Sequence, residues 1–241
     1  MAEAVIVDCL RTAIGKAPRG TLRYTRPDDM AAAVIKALLE KYPQVPEDEI
    51  DDVILGCAMP EAEQGMNMAR VALLRAGLPD IVPGVTINRF CSSGLQSIAM
   101  AADRIRAGSA ETILAGGAES MSMIPLSGGK VAPNPWMVDN CPEIYINMGL
   151  TAENLRKKYG IAREEQDRFS YRSHRNALEA QAQDKFASEI VPLTIETVTA
   201  AAGASQTVFS RDEGPRADTS PEGLAKLKPV FHATASVAKV G

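Results

Sequence analysis

The sequence predicts an α/β fold, a sheet covered by helices, followed by a second lobe of different character. Two observations carry this reading. Through residue 117, short apolar runs alternate with helix-length segments, and from about Met121 the alternation gives way to loops rich in Gly, Pro, Ser and Asn and to amphipathic helices. The 241 residues are 46% hydrophobic and 23% charged, which is enough apolar material for a sizeable core.

The elements follow in order. Residues 4–7 (Ala-Val-Ile-Val) form an apolar run ending at Asp8 and read as a buried strand. Pro27-Asp28-Asp29 opens a helix through Leu39, with Pro suited to the first turn and two acids near the positive end of the dipole. A strand over Glu49–Gly56 centres on Val53-Ile54-Leu55. A helix over Asn67–Gly77 and a third strand over Val82–Asn88 complete a βαβαβ order. The next unit is a helix from Ser92 to Ala107 closed by Gly108, then a strand Thr112-Ile113-Leu114-Ala115 ending in Gly116-Gly117. Two further helices are expected around 151–159 and 163–185. Thr199–Ser205 is small and Ala-rich enough to serve as a flexible connector. The domain division that results is 1–120 for the core and 121–241 for the second lobe.

Composition excludes several functions. Lys and Arg number 26 against 30 Asp and Glu, a net charge of −4, and no basic run provides a footprint for nucleic acid or anionic lipid. A small molecule is the expected partner. Cys9, Cys57, Cys91 and Cys141 stand far apart and only two histidines are present, so neither a zinc site nor a redox dithiol is written here and the thiols are expected to be reduced. No run approaches the roughly 20 apolar residues that span a bilayer, and the start lacks a basic segment followed by an apolar one, so the expected location is the cytoplasm.

The chemistry points to Cys91. The segment from Gly84 to Gln96 reads strand, tight turn, helix, and sets Cys91 at or just before the first helical turn. Unpaired backbone N–H groups and the positive end of the helix dipole favour thiolate there, and Ser92, Ser93 and Gly94 leave the turn uncrowded for a substrate. The local pattern by itself is more commonly that of a small buried residue at a strand-to-helix junction. The helix that follows is apolar most of the way round (Leu95, Ile98, Met100, Ala101, Ile105) and calls for burial on every side.

Four runs decide between these readings: Asn88-Arg-Phe-Cys-Ser-Ser-Gly-Leu-Gln96, Ala115-Gly-Gly-Ala-Glu-Ser-Met-Ser122, Met148-Gly-Leu-Thr-Ala-Glu-Asn154 and Arg163-Glu-Glu-Gln-Asp167. In order and spacing they resemble the thiolases, over about Val5 to Phe231. The resemblance implies the amino-terminal part of a layered α-β-α thiolase fold with an inserted loop lobe, ending before the carboxy-terminal half, and a tail after about residue 233 that does not follow the family. It implies that Cys91 is the acyl-accepting nucleophile of an acetyl-CoA acyltransferase, which cleaves 3-ketoacyl-CoA with CoA or runs the reverse condensation. Coenzyme A and acyl-CoA are then substrates, no cofactor is held permanently, and the complete form is a homo-oligomer, dimer or tetramer. The CSSGLQ turn resembles the degradative 3-ketoacyl-CoA enzymes more than the biosynthetic ones, where CGSG is common.

The same resemblance assigns the second lobe to CoA binding, with Met148 and Phe231 as an apolar wall and Arg216 for phosphate or adenine. Many thiolases carry His before the Met-Gly of the third run, where this chain has Asn147. His174, flanked by Arg172 and Arg175, reads as a surface or packing residue, His232 follows Phe231 without the spacing of a base, and Cys9, Cys57 and Cys141 read as structural. Base, second cysteine and oxyanion donors belong to motifs that do not occur here, so the chain alone is expected to be inactive and to expose an apolar patch and an unfinished sheet edge. Two other functions fit the same residues, a ketoacyl synthase-like condensing enzyme and a non-catalytic CoA-binding or assembly fragment.

Overall fold

The structure is a computed structural model that describes residues 3–199 and 203–231. It contains β1 (Arg11–Thr12), α1 (Pro27–Lys41), β2 (Asp52–Gly56), α2 (Met68–Ala76), β3 (Gly84–Ile87), α3 (Ser93–Arg106) and β4 (Ile113–Gly117). These are followed by α4 (Pro135–Asn140), α5 (Met148–Tyr159), α6 (Arg163–Ala182), β5 (Ile190–Val191), β6 (Leu193–Thr199), β7 (Gly203–Phe209) and α7 (Pro221–Ala225).

A three-stranded parallel sheet, ordered β3-β2-β4, organises the first unit. The central strand β2 is buried along its whole length, as its unbroken apolar run requires of a strand covered on both faces. Around it a core forms from Ile35 of α1, Met68, Ala72 and Leu73 of α2, and Val53 and Leu55 of β2. The boundaries follow local chemistry. Asn67 caps α2 by accepting from the Arg70 N–H at 3.3 Å, and Gly77 ends it in the left-handed conformation, φ 102°.

Two compact units divide the chain, and the division differs from 1–120 and 121–241. One comprises Met1–Lys130 with Phe186–Gly214, the other Val131–Lys185 with Pro215–Gly241. The stretch 186–214 thus returns to the first unit. Its ties are a parallel pairing of Arg11 with Ile190 and Thr12 with Val191, and Arg11 reaching both Glu189 (2.7 Å) and Asp212 (2.8 Å). Asp212 also accepts from the Ile14 N–H, and Glu213 from the N–H groups of Lys16 and Thr21. Arg11 raises its own ionisation range by these contacts and holds the Asp212 carboxyl below the usual carboxylate range.

Two expectations are corrected here. Within the stretch expected as a flexible connector, Thr199 and residues 203–205 are strand: Thr199 pairs with Gly203 and Thr197 with Ser205 in the antiparallel ladder of β6 and β7, while 200–202 lie outside the described residues. The run 4–7 joins no ladder among the described residues, and Val5, Ile6 and Val7 are 69%, 74% and 75% exposed. Its apolar residues ask for a neighbouring strand that the described residues do not supply. Helix α3 buries Ser93, Ser97 and Ala101 and leaves Leu95 72% exposed, part of the apolar surface that this chain is expected to leave open. The tail after residue 233 and His232 lie outside the described residues.

Candidate active site at the strand-to-helix turn

Cys91 lies between β3 and α3, in a turn that its neighbours over-determine. The Phe90 N–H donates to Asn88 Oδ1 (2.8 Å), while the Asn88 amide donates to the Ala58 carbonyl (3.0 Å) beyond β2. Ser93, almost fully buried, accepts from the Arg89 N–H (2.8 Å) and donates to the Phe90 carbonyl (2.6 Å). These bonds hold Phe90 at φ +48°, the left-handed region that a bulky residue seldom adopts. Such a backbone persists only where its surroundings enforce it, and here it turns the chain so that Cys91 is exposed ahead of the first turn of α3.

Gly56 and Gly94 set the depth of that turn. A Cβ on Gly56 would stand 2.5 Å from the Ser93 carbonyl carbon, so α3 can rest on β2 only because residue 56 has no side chain. A Cβ on Gly94 would meet nothing within 4 Å, which leaves open space beside Gly94 in the first turn of α3. Ser97, fully buried, donates at 2.7 Å to Gly94 O and at 2.8 Å to Gly116 O, bonding the helix to β4.

The residues after β4 brace the far side. Glu119 accepts from the N–H groups of Ala58 (2.6 Å) and Met59 (3.3 Å) and from the Gln64 amide (2.5 Å). Gln64, wholly buried, accepts in turn from the Ser120 N–H. This fixes the 57–59 segment whose Ala58 carbonyl holds Asn88. The role of Gln64 and Glu119 was not recognised from the sequence, although the Ala-Gly-Gly-Ala-Glu-Ser run marked the position. Cys57 sits in the same cluster, 1% exposed, and burial together with the nearby Glu119 pushes its thiol up to about 11. Burial distinguishes it from the exposed Cys91.

In the second unit the structure brings Met148 and Phe231 together. Asn147 is the N-cap of α5, accepting from the Gly149 N–H at 2.7 Å. The Phe231 ring lies against Gly149, where any Cβ would collide with it. Met148 and Phe231 are both exposed, at 56% and 46%. Asn147, the departure from the thiolase pattern, is therefore at least a helix cap. Arg216 stands on a different anchor: its N–H donates to His174 Nδ1 of α6 at 3.1 Å, and its guanidinium grips Asp218 at 2.7 Å and 3.1 Å. That pairing raises the Arg216 pKa and lowers that of Asp218. A phosphate drawn to Arg216 has to share or displace this carboxylate. His174, read as a surface or packing residue, accepts the bond from the Arg216 N–H and so positions the backbone of the Arg216 loop. Among the described residues, no group of three or more His, Cys, Asp or Glu could hold a metal ion.

Several known proteins are similar to this chain over nearly its whole length. The profile described as Thiolase, N-terminal domain, matches residues 4–239. The 3-ketoacyl-CoA thiolase of Bacillus subtilis is 50% identical over 242 residues, covering 98% of this chain and 61% of the relative. The 3-ketoacyl-CoA thiolase of Idiomarina loihiensis is 41% identical, covering 96% and 58%. The crystal structure of the Bacillus anthracis acetyl-CoA acetyltransferase superposes with a TM-score of 0.81 at 40% identity, covering 96% of this chain and 59% of that one. The chain thus spans about three-fifths of the length of the relatives it matches.

Proposed function

The chain belongs to the thiolase family, and from that premise we propose that Cys91 accepts an acyl group from a 3-ketoacyl-CoA as the nucleophile of an acetyl-CoA acyltransferase. The observation that carries this is the exposed thiol at the strained Phe90 turn, with open space beside Gly94. In thiolysis the Cys91 thiolate attacks the 3-keto carbon. The bond between carbons 2 and 3 then breaks, the departing acetyl-CoA carbanion takes a proton, and the acyl group stays on sulfur. The thiolate of a second CoA attacks that thioester, releasing shortened acyl-CoA and restoring Cys91. A thiolate is both a capable nucleophile and a good leaving group, so one difficult exchange becomes two easier ones.

The lobe with Met148, Phe231 and Arg216 is our candidate for holding CoA, the first two against its apolar parts and Arg216 against phosphate or adenine. The general base, the second cysteine and the oxyanion donors come, in this reading, from the length of the relatives that this chain does not span. The chain alone is therefore inactive in turnover, and the whole enzyme works as a cytoplasmic homo-oligomer in fatty-acid breakdown. The names of the B. subtilis and I. loihiensis relatives support the degradative direction.

Intact-mass and peptide mapping after incubation with acetyl-CoA test the assignment. One acetyl group on the Cys91 peptide, lost in Cys91→Ala, is expected, with no steady-state cleavage of acetoacetyl-CoA. An adduct on Cys9 or Cys141 in place of Cys91 overturns the role of Cys91, whereas no adduct in either protein means that acylation requires the base and oxyanion donors of the length this chain does not span. Full thiolysis by the chain alone overturns its inactivity.

A further inference from the structure

The three parallel strands end at one level, and the residues just past their ends bond to one another in series. Gly56 of β2 stands opposite Ile87 of β3 and Gly117 of β4, so residues 57–59, 88–90 and 118–119 leave the sheet side by side. The peptide group between Ala58 and Met59 is bonded on both sides. Its N–H donates to Glu119 Oε1 (3.3 Å), and its carbonyl accepts from the Asn88 amide (3.0 Å). The Asn88 side-chain oxygen accepts in turn from the Phe90 N–H (2.8 Å). The carbonyl of that same peptide, on Arg89, accepts from the Ser92 N–H (3.2 Å) and from the Ser92 hydroxyl (2.8 Å).

Three amide groups thus run head to tail from the Glu119 carboxylate to Phe90 and Ser92, the residues that flank Cys91. Each donates toward Glu119 and accepts at its oxygen from the next. In such a row every bond polarises its neighbour in the same sense, and an ionised acceptor at the end strengthens the series. That end is itself anchored: Glu119 also accepts from the Ala58 N–H (2.6 Å) and from the amide of buried Gln64 (2.5 Å). The other end is the strained one. Phe90 stands at φ +48°, which a bulky residue keeps only while its surroundings enforce it, and one of the enforcing bonds belongs to the row.

We propose that Glu119 is a positioning residue for the Cys91 thiol, acting through the Ala58–Met59 peptide and Asn88 on the Phe90 turn. The inference rests on the reading of Cys91 as the acyl-accepting nucleophile and adds what holds it in place. With the row intact, Cys91 stays ahead of the first turn of α3, where the positive end of the helix dipole favours the reactive thiolate. With the row cut, the turn relaxes and the thiol leaves that position. A brace that served only the fold would leave the reactivity of this one cysteine as it is.

The test is the rate at which iodoacetamide modifies Cys91 relative to Cys9 in the same chain, read by peptide mapping at fixed pH. Cys9 is also exposed and lies outside the row, so it is the internal reference. Glu119→Leu removes every acceptor, and Glu119→Gln keeps one acceptor oxygen. Cys91 should slow by about tenfold or more in Glu119→Leu and by less in Glu119→Gln, with Cys9 unchanged and Cys57 unreactive. Asn88→Ala cuts the row nearer the thiol and should slow Cys91 at least as much. Because both residues act along one path, adding Glu119→Gln to Asn88→Ala should slow it no further. Should Glu119→Leu unfold, Glu119→Gln alone and in that pair carries the test. An unchanged Cys91 rate, effects of Glu119 and Asn88 that multiply, or a change shared by Cys9 or Cys57 overturns the proposal. Alkylation reads the thiol and acetylation reads acyl transfer, so a failure of the proposal leaves the nucleophile in place, and a failure of the nucleophile shows in the acetyl map.

Discussion

Replacing Gly56 by Ala tests whether the turn that presents Cys91 depends on backbone contact between β2 and α3. The new Cβ would stand 2.5 Å from the Ser93 carbonyl carbon and from Ser93 Cβ, and 2.8 Å from the Gly94 nitrogen. Ordinary contact begins near 3.4 Å, so the start of α3 must retreat by roughly 0.9 Å. Ser93 is nearly buried and bonded to Arg89 and Phe90, which leaves it no side-chain freedom with which to absorb that displacement. Overpacking of this kind costs about 1–3 kcal/mol. Gly94→Ala is the control: its Cβ meets nothing and it lies inside the helix, where Ala is favoured over Gly by about 0.8–1.0 kcal/mol. Urea unfolding followed by circular dichroism should show a lower midpoint for Gly56→Ala and an equal or higher one for Gly94→Ala. Alkylation of Cys91 relative to Cys9 should change in the first variant. A Gly56→Ala protein as stable as the parent would refute the close seating of α3 on β2.

The remaining predictions concern other residues. Cys57, buried beside Glu119 with its thiol pushed up to about 11, should stay unmodified by iodoacetamide at pH 8 in the native chain while Cys91 and Cys9 react; peptide mapping reads the sites. Asp212→Ala removes the bonds to Arg11 and to the Ile14 N–H and should cost about 2–3 kcal/mol near neutral pH. The Asp212 pKa is lowered on folding, chiefly by the Arg11 hydrogen bond, so its contribution is present above the unfolded value near 3.8 and is lost as pH falls through the folded value. The difference in urea midpoint between parent and variant should therefore shrink on acidification below about pH 4; an unchanged difference would count against the pair.

Much of the first unit was legible because its signals are local. Asn67 and Gly77 bracket α2, Pro27 opens α1, and the apolar runs at 53–55 and 113–115 become strands where they stand. The place of Cys91 between strand and helix was equally legible, since it follows from where β3 ends and α3 begins. The left-handed Phe90 was not, because it results from bonds made by Asn88 and Ser93 once β2 and β3 are side by side.

What the sequence by itself determined was periodicity, capping and motif, and with them the parallel α/β core, the candidate nucleophile and the family resemblance. Tertiary structure alone decided who pairs with whom. The return of 186–214 to the first unit rests on Arg11 meeting Glu189 and Asp212, 178 and 201 positions away, which no local pattern records. The run at 4–7 shows the same limit from the other side: its composition asks for burial in a sheet, but only packing reveals that the place beside it is open, because a strand's backbone is satisfied by its neighbours and not by itself.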